Sequence, residues 1–343
     1  EIKSLLEHYQ NGQYDDAERL AKSITQQFPE YQFAWKVLGA LLKQTGRITD
    51  SLTPMQKSVQ LVPQDAEAHN NLGTTLQELG SLDEAEASLM QAIALKPDFA
   101  EAHYNLGITL KELGRLDEAE ASYTQVIALK PDYAEAHSNL GITLNELGRL
   151  HEAEASYTQA LVLKPDYAEA RYNLGNALQG LGRLDEAEAN YTQAIALKLD
   201  YAEAHNNLGA MLQKLGRLDE AEASLTQAIV LEPDYAEAHF NLGCVRKDKG
   251  DLEAAIDSYK QALKIQPDYA EAFYNTSLVN LSLQDFEVGW PLYEWRWKLT
   301  KVFSNPLKST KPLWKPSKKQ RVLLWGEQGV GDEIMFASLI PDL

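Results

Sequence analysis

Seven asparagines recur at one place in a 34-residue motif that is repeated along the chain. Counting each copy from its first Ala, such as Ala100, puts all seven at position 6: Asn71, Asn105, Asn139, Asn173, Asn207, Asn241 and Asn275. Asn is unfavourable inside a helix. A primary amide, however, carries both donors and an acceptor and can meet a peptide's C=O and N–H together. We therefore predict that this asparagine column binds the backbone of an extended peptide. The alternative is that each amide bonds the backbone of the neighbouring repeat and fixes the stack.

Two other columns flank the asparagines on the same polar stripe. Position 5 varies, being Asn70, Tyr104, Ser138, Tyr172, Asn206, Phe240 and Tyr274. Variable side chains beside a constant column suit selection of ligand side chains, so Tyr104, Tyr172, Phe240 and Tyr274 are further candidate peptide-binding residues; drift on a solvated face is the alternative. Position 2 is Glu in every copy from Glu67 to Glu271. These carboxylates either make an acidic groove that selects Lys/Arg-bearing or Ser/Thr-rich segments, or they cap helices.

Position 4 carries five histidines, which raises the question of a metal site: His69, His103, His137, His205 and His239. Helices one repeat apart are separated by about 8–10 Å, whereas one metal ion needs its ligands at about 2 Å. Trp35 and Phe273 occupy the same position. We therefore predict a packing role for position 4, with no metal, no cofactor and no catalytic residue.

The copies begin at Ala66, Ala100, Ala134, Ala168, Ala202 and Ala236. A looser copy spans 32–65, a truncated one precedes it and a degenerate one starts at Ala270, which makes about nine. Each copy predicts two helices, the first beginning at an Asp-x-x-Glu step such as Asp98–Glu101, where Asp is expected to cap. A Leu-Gly-Arg-Leu turn separates it from a second helix, which opens at Asp117 and ends before Pro131.

The first helix carries an apolar stripe on the face opposite the asparagines, and its Gly is expected to let two helices approach closely. The stripe is Ala102, Leu106, Leu110 and Leu113, and the glycine is Gly107. Pro54 falls inside the second helix of the 32–65 copy, so a late start or local looseness is expected there.

The pattern resembles the tetratricopeptide repeat, with Leu-Gly at positions 7–8, Ala at 20, an aromatic at 24 and Pro at 32. The resemblance implies an all-α, right-handed superhelical α-solenoid over residues 1–303. The asparagine column resembles the asparagine ladder of the repeat domain of O-linked N-acetylglucosamine transferase, in which it lines an inner groove and grips protein substrates. By that resemblance, the seven asparagines take the same role here.

The C-terminal residues differ from the repeats. Residues 304–321 read as a basic, Pro-containing linker. Residues 322–343 predict a strand, a Gly-rich turn and a helix, and Gly329-Val330-Gly331-Asp332-Glu333 resembles the opening of heptosyltransferase-like glycosyltransferases. The resemblance implies that the chain is the substrate-presenting region of a larger glycosyltransferase and lacks a catalytic site of its own. A pure scaffold without an enzymatic domain is the alternative.

The net charge of the repeats argues against two classes of binding partner. Residues 1–269 hold 23 Lys+Arg against 42 Asp+Glu, a net −19, whereas the whole chain is −18. Nucleic acid and anionic membranes need clustered basic residues and are disfavoured. The single cysteine, Cys244, excludes an intrachain disulfide and fits a reducing, cytoplasmic setting. The expected partners are proteins or peptides, and both a monomer and a homodimer fit.

Overall fold

The computed structural model describes residues 2–299, which form eighteen α-helices and a short 3₁₀ helix, with no strand in that range. The α-helices are α1 (Ile2–Gln10), α2 (Tyr14–Gln27), α3 (Gln32–Gln44), α4 (Ile48–Leu61), α5 (Ala66–Glu78), α6 (Leu82–Leu95), α7 (Ala100–Glu112), α8 (Leu116–Leu129), α9 (Ala134–Glu146), α10 (Leu150–Leu163), α11 (Ala168–Gly180), α12 (Leu184–Leu197), α13 (Ala202–Lys214), α14 (Leu218–Leu231), α15 (Ala236–Asp248), α16 (Leu252–Ile265), α17 (Ala270–Ser282) and α18 (Phe286–Tyr293). The 3₁₀ helix is Glu294–Lys298. The all-α prediction is confirmed for these residues; the predicted linker (304–321) and strand-turn-helix (322–343) lie outside them.

The chain forms two compact units, Glu1–Leu197 and Lys198–Leu343. The N-terminal unit contains α1–α12, and the C-terminal unit contains α13–α18. Within each unit every helix packs on its successor in the chain. From α3 in the first unit and from α13 in the second, each odd-numbered helix also touches the next odd-numbered one. The odd-numbered helices of a unit therefore form one continuous layer, and this layer carries the asparagine column.

The turn between paired helices is set by a glycine with positive φ. In the copy that starts at Ala100, Gly114 has φ 73°, a left-handed conformation that suits only a residue without Cβ. The N–H of Arg115 then donates to the C=O of Leu110 across 2.9 Å. This bond closes the end of α7. The predicted end of the first helix at the Leu-Gly-Arg-Leu turn is confirmed.

The expected Asp cap of the first helix is wrong for most repeats. Helix α7 begins at Ala100 with Phe99 as its N-cap, and no side chain caps it. Asp98 lies one residue too early, because position 34 is occupied by an aromatic residue. Among the first helices of the described repeats, only α5 is capped by a side chain, that of Asp65, which stands at position 34 and accepts from the N–H of Ala68 at 3.1 Å.

Close contact between paired helices depends on the glycine at position 8. A Cβ added to Gly107 would lie 2.7 Å from Cε1 of Tyr123, a side chain with 0% exposure. Ala102 and Leu110 are buried beside this contact. The prediction that Gly107 permits close approach is therefore confirmed. The ring of Tyr123 fills the space that a larger residue at position 8 would occupy.

Helix α4 contradicts the expectation of a late start near Pro54. It runs from Ile48 to Leu61 without a break and begins in the same register as the other second helices. Pro54 and Met55 are buried. Pro leaves the carbonyl of Asp50 without its helical donor, but Asp50 is exposed, so water can satisfy it. No helix between residues 2 and 299 has the length and apolar character needed to cross a membrane.

Candidate functional site

The asparagine column links successive repeats in the N-terminal unit through side chains. Asn105 on α7 donates from Nδ2 to Oδ1 of Asn70 on α5, at 2.9 Å. Asn139 on α9 donates to the hydroxyl of Tyr104 on α7, also at 2.9 Å. Each bond joins position 6 to position 5 of the preceding repeat. The stacking alternative placed this bond on the neighbouring backbone; the structure places it on a neighbouring side chain.

The C-terminal unit shows the same connection where a polar partner exists. Asn241 on α15 donates to Oδ1 of Asn206 on α13 at 2.9 Å, and Asn206 donates to Asn207 at 3.3 Å. Asn275 on α17 instead donates to the C=O of Glu271 in its own helix at 3.0 Å. The residue at position 5 before it is Phe240, which has no polar atom to accept the bond.

Two members of the column, Asn71 on α5 and Asn173 on α11, make no side-chain hydrogen bond within residues 2–299, and both are half-buried. The position-5 residue before Asn71 is Lys36, which is already paired with Asp65 at 3.0 Å and with Glu67. The corresponding residue before Asn173 is Ser138, short and 2% exposed. Both amides therefore keep their full hydrogen-bonding capacity.

The linked members of the column keep part of that capacity. Asn139 uses one N–H on Tyr104, while its Oδ1 and its second N–H make no hydrogen bond to the described part of the chain. A primary amide offers two donors and two lone pairs. Fixing the stack and binding a peptide backbone are thus compatible at one residue.

The position-5 aromatic residues pack inside their own repeats as well as bordering the column. Tyr104 meets Tyr123 edge-on at 6.0 Å and stacks on Tyr133 at 4.9 Å. Burial raises the pKa of Tyr104 to about 12. Phe240 meets Tyr259 at 5.8 Å with the two rings tilted by 41°. Tyr172 and Tyr274 likewise meet Tyr191 at 6.0 Å and Tyr293 at 5.6 Å. These four side chains are half-buried, so the solvated-face alternative does not describe them.

A recess of about 340 Å³ opens where the column begins in the N-terminal unit. It is lined by Tyr9, Ala40, Lys43, Gln44, Met55, Asn71, Thr74 and Glu78. Helices α1, α3, α4 and α5 supply these residues. Lys43 Nζ lies 2.9 Å from Glu78 Oε1 across its rim. The open amide of Asn71 therefore lies in the wall of a formed recess.

Carboxylates at position 13 continue from this recess along the odd-numbered helices. Glu112 on α7 accepts from the side-chain amide of Gln77 at 3.2 Å, and Glu146 on α9 lies 3.9 Å from Lys111. These residues were not predicted from the sequence. The available signal was a Glu at position 13 in three successive copies, beginning with Glu78.

The carboxylates at position 2 are engaged with lysines. In the repeat from Ala100, Glu101 pairs with Lys130, and in the next, Glu135 lies 3.1 Å from Lys164. The hydrogen bond from Lys130 is the main cause of the lowered pKa of Glu101. A lysine therefore balances each of these two charges.

Most of the side chains at position 4 hydrogen-bond the turn before their helix. His103 Nε2 lies 2.9 Å from the C=O of Pro97, six residues earlier, and Trp35 and Arg171 reach the corresponding Pro29 and Pro165 carbonyls. A carbonyl only accepts, so the ring nitrogen donates. His69, His137 and His239 make the same bond. Position 4 thus has the packing role that the sequence predicted.

His205 makes no such bond, and the residue six positions before it is Leu199 and not Pro. Its Nδ1 is buried and has no hydrogen-bond partner within residues 2–299. Burial lowers the pKa of His205. Among the described residues, no group of three or more His, Cys, Asp or Glu side chains is placed to hold a metal ion.

Arginines in the turns also connect repeats, a feature that the sequence analysis missed. Arg115 lies 2.6 Å from Glu86 of the preceding repeat and pairs with Glu118 of its own. Arg149 bridges Glu120 and Glu152 in the same manner. The signal was an Arg after the turn glycine with a Glu three residues later.

Models of known protein families match most of the residues that the structure describes. Models described as "Tetratricopeptide repeat" match residues 4–66, 55–87 and 200–268. A model described as "TPR repeat" matches 75–114, 109–148, 143–182 and 180–216. Together these matches run from residue 4 to residue 268. No curated protein sequence matches the chain.

Several solved structures are similar to this chain. The APC/C hetero-tetramer Cut9–Hcn1 matches with 19% identity and a TM-score of 0.60, over 78% of this chain and 52% of that one. The present chain thus spans about half the length of that relative. YrrB, a TPR protein with an unusual peptide-binding site, is 26% identical with a TM-score of 0.46, over 55% of this chain and 96% of its own. MamA is 26% identical with a TM-score of 0.45, over 48% and 97%.

Proposed function

The chain belongs to the tetratricopeptide repeat family, and we propose that it is a protein–protein interaction module. It binds extended polypeptide segments along its asparagine column. The observation that carries the proposal is the open amide of Asn71 in the wall of a 340 Å³ recess. The Asn71 amide is half-buried and accessible from the recess, so a ligand can replace water on its donors and its acceptor. A peptide backbone supplies both the acceptor and the donor that this amide lacks.

The repetition of the column extends this contact beyond one recess. Asn71 and Asn173 offer whole amides, and Asn105 and Asn139 each offer the groups left over from their links to the preceding repeat. Bonds to backbone groups do not depend on the ligand's side chains. The proposed ligand is therefore any segment that can lie extended along the odd-numbered helices, with the aromatic residues at position 5 contacting its side chains.

The strength of such binding follows from the individual bonds. Each net hydrogen bond contributes about 0.5–1.5 kcal/mol, and ordering the peptide subtracts from the sum. Four asparagines in the N-terminal unit would supply a few kcal/mol. Weak, adaptable binding is the expected outcome, with affinity added by side-chain contacts.

The binding role and the stacking role can be tested on different asparagines, because only some of them bond the preceding repeat. We expect Asn71→Ala and Asn173→Ala each to weaken binding of several unrelated 12-residue peptides by a similar factor, about two- to tenfold. Neither should lower the free energy of unfolding, because neither amide bonds the described chain and Ala favours the helix more than Asn does. The matched variants Asn105→Ala and Asn139→Ala should weaken binding and also lower the free energy of unfolding by about 1 kcal/mol.

Fluorescence anisotropy of labelled peptides and urea unfolding followed by circular dichroism give the two readouts. Asn71→Asp serves as an isosteric control that keeps an acceptor and removes the donors. Peptide affinities unchanged in both Asn71→Ala and Asn173→Ala would refute the proposal and leave the column with a stacking role alone.

Within this function, we propose that the repeats present acceptor polypeptides to an attached glycosyltransferase. The support is the sequence string at 329–333, which lies outside the described residues. The alternative is a scaffold that assembles other proteins. The intact mass of the natural protein in its own cells distinguishes them: a product larger than 38.3 kDa by one or two domains, active in sugar transfer, supports the transferase, and a product near that mass supports the scaffold.

A further inference from the structure

We infer that the recess beside Asn71 selects a basic side chain, Lys or Arg, of the bound peptide, with Glu78 as its counter-ion. The inference rests on the proposed function and names the chemistry of one ligand position. It follows from the two kinds of surface that meet in this recess.

One part of the recess wall is apolar. It is made by the ring of Tyr9, the methyl group of Ala40 and the thioether of Met55, which is 1% exposed. A ligand side chain that enters must bring apolar atoms to these three residues. Lys and Arg do so with their aliphatic stems while holding the charge at the far end.

The rim is polar, and its only carboxylate is Glu78, whose side chain is 45% exposed. Lys43 is the only cation on the rim and is 26% exposed, so the carboxylate is the more accessible of the two charges. A second cation can share Glu78 with Lys43, because the carboxylate has two oxygens. The ring of Tyr9 adds a favourable face for a cation.

An acidic side chain would find the opposite conditions. Its only cationic partner in the recess would be Lys43, which already lies 2.9 Å from Glu78. It would also approach a repeat region that carries a net charge of −19 over residues 1–269, from 23 basic and 42 acidic residues. This field attracts cations and repels anions. Asn71, in the same wall, can hold the peptide bond next to the inserted residue.

The test uses the full chain and three labelled 12-residue peptides of Ser, Thr and Ala that differ at one central residue: Lys, norleucine or Glu. Norleucine keeps the stem and removes the charge. We expect the Lys peptide to bind about three- to tenfold more tightly than the norleucine peptide, from one partly exposed ion pair and one cation–π contact, and the Glu peptide to bind most weakly.

Two matched variants locate the effect. Glu78→Gln should bring the Lys and norleucine peptides to equal affinity. Glu146→Gln should leave the preference intact, because Glu146 holds the same position 13 with a similar exposure of 44% but lies outside the recess. Equal loss of preference in both variants would assign it to the general field and overturn the inference.

A direct readout comes from ¹³C-methyl labelling of the four methionines. The Lys peptide should shift the Met55 signal, assigned with Met55→Leu, and leave that of Met90, which is 55% exposed and outside the recess. If Asn71→Ala lowers the affinity for all the peptides, but the Lys and norleucine peptides bind equally tightly, the selection of a basic side chain is wrong and the proposed function stands. If no peptide binds at all, both are wrong.

Discussion

The hydroxyl groups of two equivalent tyrosines should have opposite effects on stability. Tyr123 and Tyr191 both occupy position 24, and both are 0% exposed. The hydroxyl of Tyr191 lies 2.8 Å from the amide oxygens of Asn176 and Gln179, so it has hydrogen-bond partners. The hydroxyl of Tyr123 is buried and has no partner within the described chain, because Ile108 and Lys111 stand where Asn176 and Gln179 stand in the later repeat.

The expected magnitudes follow from this difference. A buried hydroxyl without a partner costs about 1–3 kcal/mol. Its removal in Tyr123→Phe forfeits only a few oxygen contacts of about 0.1–0.2 kcal/mol each. We expect Tyr123→Phe to raise the free energy of unfolding by about 1 kcal/mol. Tyr191→Phe should lower it by about 1 kcal/mol, since one or two hydrogen bonds are lost and the half-buried amides can still reach water.

Urea unfolding of the two variants and the parent, followed by circular dichroism, measures both effects on one scale. Hydrogen exchange of amides in α7–α8 and α11–α12 shows whether each change is confined to its own repeat, as nearest-neighbour coupling in repeat arrays requires. The two substitutions remove the same atom from the same position. Shifts of equal sign and size would refute the argument that the local partners decide the cost.

Two other changes test the packing and the titration of the repeats. Gly107→Ala should lower the free energy of unfolding by about 1–2 kcal/mol, since a Cβ there meets the Tyr123 ring at 2.7 Å; in a Tyr123→Ala background the penalty should disappear, and a penalty that persists would contradict the contact. Burial lowers the pKa of His205 in the folded state, so the unfolded chain binds the proton first and stability should fall as pH drops below about 6.5. His205→Phe, which copies Phe273, should reduce that loss between pH 7 and pH 5 in urea unfolding, and an unchanged pH dependence would contradict the assignment.

Local features of the repeat could be predicted from sequence because they depend on neighbours within one copy. Gly107 and its approach to the second helix belong to this class, as does the Gly114 turn. The predicted Asp98 cap failed by a single residue, because the aromatic Phe99 takes the N-cap place. Such one-residue shifts are set by packing that a periodic pattern does not record.

Features that join two copies were harder to predict. Whether Asn139 is linked and Asn173 is open depends on the residue at position 5 one repeat earlier, Tyr104 in one case and Ser138 in the other. The recess at Asn71 depends on α1, α3 and α4 meeting α5. A column read down the sequence shows identical residues, whereas the fold gives each of them a different neighbour.

The fixed spacing of the links between repeats bears on how such a chain can change in length. In the N-terminal unit, Asn139 bonds a residue 35 positions earlier and Arg183 pairs with one 29 positions earlier, Glu154. Removal of residues 134–167 by recombination would bring Asn173 to Tyr104 and Arg183 to Glu120, which makes the same pair with Arg149. Both of these links would find an equivalent end, whereas Lys111 would lose Glu146, because Gly180 would take its place. Gain or loss of whole copies can therefore alter the length of the array while preserving these two links between repeats.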